Sequence, residues 1–465
     1  MEQIQGNILQ PFDGHHQAFL FLSFGNKRTE ARAWLGASAG RVDCTADVVE
    51  ARSGSRIATG TSLMNVGLTA SGLVTLHPEA AGDLVNFTAF WEGPLGNRLD
   101  ENGRITCTPT LLGDVGRSDP TTWLIGGPRR PPVDALLTLA ADDEETLRQR
   151  VRQEQREASQ AGLEVMSLAD RREQYGSVIH NAAGKRIEHF GFVDGISQPG
   201  VRGVDGAAAG SPVVSAGEFV LGMPGERRPL NLAPRPTPAP WMRGGSFQVF
   251  RRLRQDVAGW WHKMDRLSDG GSTPEDVAAR AMGRRLDGTP LAPDANPDDH
   301  NDFTFRGDES GAHTPLYAHI RKMNPRRDEM FRDRSHKLLR RGIPFGPPTN
   351  RAAPDDRERG MLFNAYMASI EDQFEFLQRC WANDPEFPSS TTAKFGAEPG
   401  TPPQVDGLDP VIGDSAEFAH RRLGAKVVER VPKLAFGGFV TTTGSVYAFA
   451  PSRDSLALLA GEAPL

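Results

Sequence analysis

The stretch Val133-Asp134-Ala135-Leu136-Leu137-Thr138-Leu139, with the residues behind it, decides how the fold of this chain is read. An apolar run this short predicts a buried strand, and the segment that follows predicts a helix. Asp142, with Glu145 three positions later, supplies an N-cap and capping box, and Leu147 and Val151 then share one face while the other is charged. Toward the N-terminus, Ala18 to Phe24 is a second apolar strand, Arg28 to Leu35 a helix, and Ser62 to Leu68 an alternating strand. Toward the C-terminus, Gly217 to Gly222 and Gly245 to Leu253 read as strands, joined by an irregular proline-rich connection from Pro229 to Pro240. Ser268 to Gly311 is polar and, after its first helical turns, has the pattern of a long ordered loop. Met361 to Ala368 is a further strand, followed by a helix with Ile370, Phe374, Leu377 and Trp381 on its apolar side. Gly438 to Thr442 and Val446 to Phe449 read as a final pair of strands. Strands and helices mixed without regular βαβ alternation predict an α+β protein, with helices over antiparallel sheet.

At 465 residues the chain is long for one simple core, so two domains, or two similar halves, are expected. Its 53 basic and 59 acidic side chains leave a formal charge of -6, which asks for neither nucleic acid nor an anionic membrane as partner. Cys44, Cys107 and Cys380 are widely spaced and odd in number, a pattern of reduced thiols rather than of a disulfide framework or a zinc site. The segment Met1 to Leu9 has no basic start or apolar core, and no run approaches the length of a membrane span. A cytoplasmic location is the expectation.

Three motifs bear on chemistry. In His189-Phe190-Gly191-Phe192-Val193-Asp194-Gly195-Ile196-Ser197-Gln198-Pro199-Gly200, glycines and a proline fix a turn that carries one carboxylate beside apolar side chains. Asp194 there is either a turn-stabilising residue or a general acid-base in a dry pocket. His319, in Tyr317-Ala318-His319-Ile320-Arg321-Lys322-Met323-Asn324-Pro325-Arg326, has the setting of a metal-ligating imidazole or of a core histidine bonded to a carbonyl. In Leu338-Leu339-Arg340-Arg341-Gly342-Ile343-Pro344-Phe345-Gly346, paired arginines enter a tight turn. They are surface ion-pair formers or the answer to an anion. Arg321, Arg326, Arg327, Arg332 and Arg334 make this region positive in an acidic protein, which suggests a bound anionic group. An acidic loop with Asp298, Asp299, His300 and Asp302 is a weaker candidate for a divalent metal than for a solvated surface.

Taken together and in this order, these motifs resemble the dye-decolorizing peroxidases. So do Ile4 to Leu9, Gly217 to Gly222, Phe250 to Asp256, Gln373 to Phe376, Asp409 to Gly413 and Ala450 to Ser452. The resemblance implies two ferredoxin-like domains, residues 1–185 and 186–465, with haem b held in the second. It implies His319 as the proximal iron ligand, Asp194 as the distal acid-base, and Arg340 as the distal arginine. Arg340 is preferred to Arg341 because the family's arginine lies two positions before the residue matching Gly342. Asn324 matches a residue near the proximal histidine and Arg326 one that meets a haem propionate, and Gly191 and Gly195, which frame the distal turn, are expected on the cofactor with them. One departure is Thr314-Pro315, where many relatives have Cys-Pro. The implied reaction reduces hydrogen peroxide through a high-valent oxo-iron intermediate and oxidises a small aromatic reductant, a phenol or dye. The alternative is a haem-handling protein for storage, delivery or iron release. A carboxylate on the other nitrogen of His319 is expected from Glu371 or Glu375. Tyr317, then Trp260-Trp261, are the aromatic candidates for passing electrons to bulky substrates.

Overall fold

The computed structural model describes residues 1–53, 56–99, 103–168, 173–204, 210–226, 234–296, 299–326, 336–351, 353–388, 407–413, 437–461, 463 and 465. Arg327, Arg332, Arg334, Asp298 and part of the proline-rich connection lie outside them. Ten strands form one sheet: β1 (His16–Ser23), β2 (Ser62–Leu68), β3 (Ala135–Ala141), β4 (Glu164–Val165), β5 (Gln174–Ser177), β6 (Ser246–Gln255), β7 (Leu339–Arg340), β8 (Ile343–Phe345), β9 (Gly360–Met367) and β10 (Val440–Ala450). Their order is β7-β9-β6-β10-β2-β3-β1-β4, with β8 on β9 and β5 on β1. Every pairing is antiparallel. Peripheral helices complete an α+β fold.

The apolar run that opens the sequence reading becomes β3, every residue of which is buried. It lies between β1 and β2, in register from Ala141 opposite His16 and Ser62 to Ala135 opposite Leu22 and Leu68. β6 plays the same central part in the second half, between β9 and β10. Phe449 opposite Leu68 is the one register pair joining the two sets of strands. The sheet curls until Phe19 and Phe21 of β1 meet Phe250 of β6, with ring centroids 4.9 and 5.2 Å apart. On the other face, α1 (Arg28–Ala39), α2 (Glu144–Gln160) and α6 (Arg453–Ala460) bring Trp34, Leu35, Leu147, Val151, Leu456 and Leu459 onto Leu20, Leu22, Met64 and Val66. Burying each such side chain is worth roughly 1.5–3 kcal/mol.

Several local expectations are corrected. The cap of α2 is Asp143, which accepts from Thr146 N at 2.8 Å. Glu145 is left on the exposed face and binds Gln149 and Arg152 there. Gly217 to Gly222 is not a strand but a 3-10 turn (Ala216–Glu218) folded back so that Gly217 N donates to Pro224 O. The two final strands are one, β10. Gly444 lets the strand pass against Ile125, which a Cβ there would approach to 2.9 Å, and the register with β6 shifts at that point. In the N-terminal motif, Gln5 is buried and donates to Val66 O and Pro451 O. This ties residues 4–9 to the Ala450-Pro451-Ser452 end of the chain.

Candidate active site

Two helices carry the loop of Asp194. The amphipathic helices α3 (Val257–Leu267) and α4 (Pro274–Met282) pack together, and Phe190 and Phe192 seat in their joint apolar face. Phe190 stacks on Trp260 at 4.6 Å. The turn closes through Glu188 N to Phe192 O and Gly191 N to Glu188 O, with Gly191 at φ 101, a conformation open to glycine. Glu188 fixes it from within: its carboxylate accepts from Phe190 N at 2.9 Å, Phe192 N at 3.0 Å and Gln255 Nε2 at 2.6 Å. Burial raises Glu188 to about 7. Its three hydrogen bonds oppose that rise, and the charge of Asp194 adds to it. Beyond the turn, Asp194 N donates to Arg186 O, and Asp194 Oδ1 accepts from Gly195 N at 2.7 Å.

Asp194 and Gly195 open onto a cavity of about 860 Å³ that is also lined by Glu188, His319, Asn324, Arg326 and Arg340. Such a volume lies within the roughly 300–1,000 Å³ typical of ligand and cofactor pockets. Residues from the first half, among them Asn7, Gln17 and Asp114, close part of the wall. Gly191 does not line the cavity. Its place is behind the wall, shaping the turn.

Arg340 comes from β7, the edge strand paired with β9. Gln198 Nε2 donates to Arg340 O at 2.8 Å, and the Arg340 guanidinium donates to Ser197 O, so the Asp194 loop and the arginine are bound together. Burial lowers the Arg340 pKa from its ordinary value, and the negative charge of Asp194 works the other way. Arg341 has a different task. Its Nε donates to Asn7 O and its Nη2 to Ile8 O, both at 2.8 Å, which anchors the N-terminal segment.

His319 is the first residue of the short helix α5 (His319–Met323). Its Nδ1 lies 2.8 Å from Asp409 Oδ2, while Nε2 has no hydrogen-bond partner among the described residues. Asp409 is fully buried, and its other oxygen accepts from Val411 N at 2.8 Å and Ile412 N at 3.0 Å. Burial alone would raise its pKa. The His319 imidazole and the two amides outweigh burial and hold it below the ordinary carboxylate value. The expected partner, Glu371 or Glu375, is therefore corrected to Asp409. Glu375 is occupied by Arg98, whose Nε and Nη2 reach its two oxygens at 3.1 and 2.9 Å, and by the Tyr447 hydroxyl. Glu371 stands next to Glu375, its pKa raised by burial and by that neighbour's charge.

Arg326, at φ 53, donates to Asn301 O at 2.7 Å and Phe303 O at 3.0 Å, and lies 3.8 Å over the Phe303 ring. Arg284 also lines the cavity and lies 5.2 Å from the same ring. Burial lowers both guanidiniums to about 10, and Arg326 adds to the effect on Arg284. Neither has a carboxylate ion pair among the described residues. Asn324 Oδ1 accepts from Lys337 Nζ at 3.0 Å, which places a further cation on the same wall.

Sequence reasoning missed Glu188, Arg284 and the role of Asp409. The first has no signal beyond its place before His189-Phe190-Gly191, and the third was visible only as part of an unassigned motif. Of the aromatic candidates, Tyr317 is half-buried beside Arg280, Trp260 is fully buried, and Trp261 is nearly so, with the Arg351 guanidinium 3.5 Å from its ring centre. Among the described residues no helix is long and apolar enough to cross a membrane.

The architecture is that of solved dye-decolorizing peroxidases. The enzyme of Auricularia auricula-judae superposes with a TM-score of 0.75 over 99% of both chains at 23% identity. Residues 230–389 match the family model "Dyp-type peroxidase, C-terminal". The multifunctional dye peroxidase DyP2 of Amycolatopsis sp. (strain ATCC 39116 / 75iv2) is 32% identical, over 97% of this chain and 94% of its own. A dye-decolorizing peroxidase of Exidia glandulosa is 29% identical, over 98% and 86%. The chain belongs to the dye-decolorizing peroxidase family and is a haem-dependent peroxidase.

Proposed function

We propose that the cavity holds haem b with His319 as the iron ligand, and that Asp194 and Arg340 carry the reduction of hydrogen peroxide. The observation that carries this reading is the His319–Asp409 pair: one imidazole nitrogen is fixed by a buried carboxylate, and the other has no partner among the described residues, in a histidine that lines the same cavity as Asp194 and Arg340. The remaining donors fit the same group. Arg284, buried, and Arg326, partly buried, have no carboxylate ion pair among the described residues; guanidiniums so placed suit the anionic propionate edge of a haem.

When bound, haem supplies the iron at which peroxide is cleaved and the store for two oxidising equivalents. Asp409 keeps the Nδ1 proton of His319 in place and makes Nε2 a stronger donor to a metal. Asp194 takes a proton from one peroxide oxygen and delivers it to the other. Its amide is tied to Arg186 O, and its Oδ1 accepts from Gly195 N, so it acts from a fixed place. Arg340 stabilises the negative charge that grows as the O–O bond breaks. Such preorganised donors are usually the largest single contribution to a rate. The reductants are phenols or dyes, consistent with relatives named for dye oxidation.

Asp194→Asn separates turnover from haem handling. The haem-loaded variant is expected to keep its cofactor and lose most peroxide-dependent oxidation of a phenol, whereas storage or delivery needs no acid-base at Asp194. Wild-type turnover in Asp194→Asn would contradict the assignment.

A further inference from the structure

Of the four tyrosines in the chain, one stands on a proton acceptor. The Tyr447 hydroxyl donates to Glu375 Oε1 at 3.1 Å in the protein interior. Arg98 holds Glu375 through both carboxylate oxygens and is itself bonded to the carbonyls of Ala89, Gly93 and Asn97. Burial first, then the charge of Glu375, raises the phenol well above its ordinary pKa, so Tyr447 remains a hydrogen-bond donor. Its ring meets Phe374 edge-on with centroids 6.1 Å apart, and Phe374 lines the cavity. Tyr447 thus lies one aromatic ring behind the cavity wall.

The other three tyrosines lack this arrangement. Tyr366 donates to the Asn65 amide oxygen, Tyr317 neighbours the Arg280 guanidinium, and Arg148 lies over the ring of Tyr175. Among the described residues only Tyr447 has its hydroxyl hydrogen-bonded to a carboxylate. That difference decides which phenol can be oxidised. Removing an electron alone would leave a cationic ring in an apolar interior, and a charge there is expensive unless it is relieved.

From this geometry we infer that Tyr447 is a buried redox-active residue, giving one electron to the peroxide-oxidised cofactor and its phenolic proton to Glu375. The Tyr447 O–H bond breaks and an O–H bond forms on Glu375 Oε1. The electron reduces the cofactor by one equivalent, leaving a neutral tyrosyl radical beside a neutral carboxyl group. The Arg98 charge is then answered by the carbonyls of Ala89, Gly93 and Asn97. One electron arriving from a reductant reverses the step and returns the proton. Tyr447 so holds one oxidising equivalent inside the protein when no reductant is present. The inference rests on the haem reading above.

The test is electron paramagnetic resonance on holoenzyme frozen after one equivalent of hydrogen peroxide without reductant, with the absorption spectrum recorded on the same sample. The expected result is a protein radical that narrows when the enzyme carries ring-deuterated tyrosine, is lost in Tyr447→Phe, and is diminished in Glu375→Gln. Tyr447→Phe removes one hydroxyl and keeps the ring, so it decides the matter even where Glu375→Gln fails to fold. A Soret band that shifts with peroxide in wild type, with no tyrosyl signal or with an equal one in Tyr447→Phe, overturns the inference and leaves the haem reading intact. Absence of a Soret band overturns both.

Discussion

His319 Nδ1 and Asp409 Oδ2 are 2.8 Å apart, and the carboxylate that makes this contact is itself held by two backbone amides. The imidazole is therefore locked in tautomer and orientation by a group 90 residues away in sequence, and that lock sets the direction of its other nitrogen.

Asp409→Asn removes the charge and keeps the shape. Loss of such an outer partner typically costs about 10–100-fold in metal affinity or activity. The ferric/ferrous potential of the haem-loaded variant is expected to rise, because a less basic histidine stabilises the ferric state less. Spectroelectrochemical titration of both proteins measures it, and an unchanged potential would mean that the carboxylate is merely structural.

Arg340→Leu is expected to lower kcat for peroxide-dependent phenol oxidation by about a hundred- to a thousandfold, the usual cost of one preorganised charge-stabilising donor. The Soret band should stay in place. Turnover equal to wild type would assign the arginine to packing, as its neighbour Arg341 is assigned by its bonds to Asn7 O and Ile8 O.

Arg284→Gln should weaken haem retention, since it removes a buried guanidinium from the cavity wall. Titrating haem into the apoprotein of wild type and variant checks this directly. Equal affinity would leave Arg326 and Lys337 as the cations that matter on that wall.

Glu188 gives a signed pH dependence. Burial raises its folded pKa to about 7 from an ordinary value of 4.5, so folding favours the protonated form. Its stabilising contribution is full below the unfolded pKa and is lost as pH rises through about 7. In paired melts of wild type and Glu188→Gln, the difference in Tm should move against wild type across that window. A constant difference would show that Glu188 does not titrate there.

The parts of the site that were legible in the sequence are those carried by local constraint. Asp194 stands between glycines with positive φ nearby, His319 heads its own motif, and the Arg340-Arg341 pair enters a turn. What could not be read is what each polar group meets across the fold. Glu371 or Glu375 was expected as the partner of His319, but Arg98, 277 residues earlier in the chain, takes Glu375. The same applies to strands. Ser62 to Leu68 was read with its true limits because alternation is a local signal. The break expected after Thr442 failed because Gly444, a turn residue by composition, is there to let β10 pass Ile125.

The measurement that bears most directly on the central claim is the absorption spectrum of the haem-reconstituted protein, wild type and His319→Ala, before and after hydrogen peroxide. The account expects a Soret band in wild type that shifts on peroxide addition, and loss of haem or a collapsed band in His319→Ala. A variant that retains haem with the wild-type spectrum would contradict His319 as the iron ligand and, with it, the reading of the cavity.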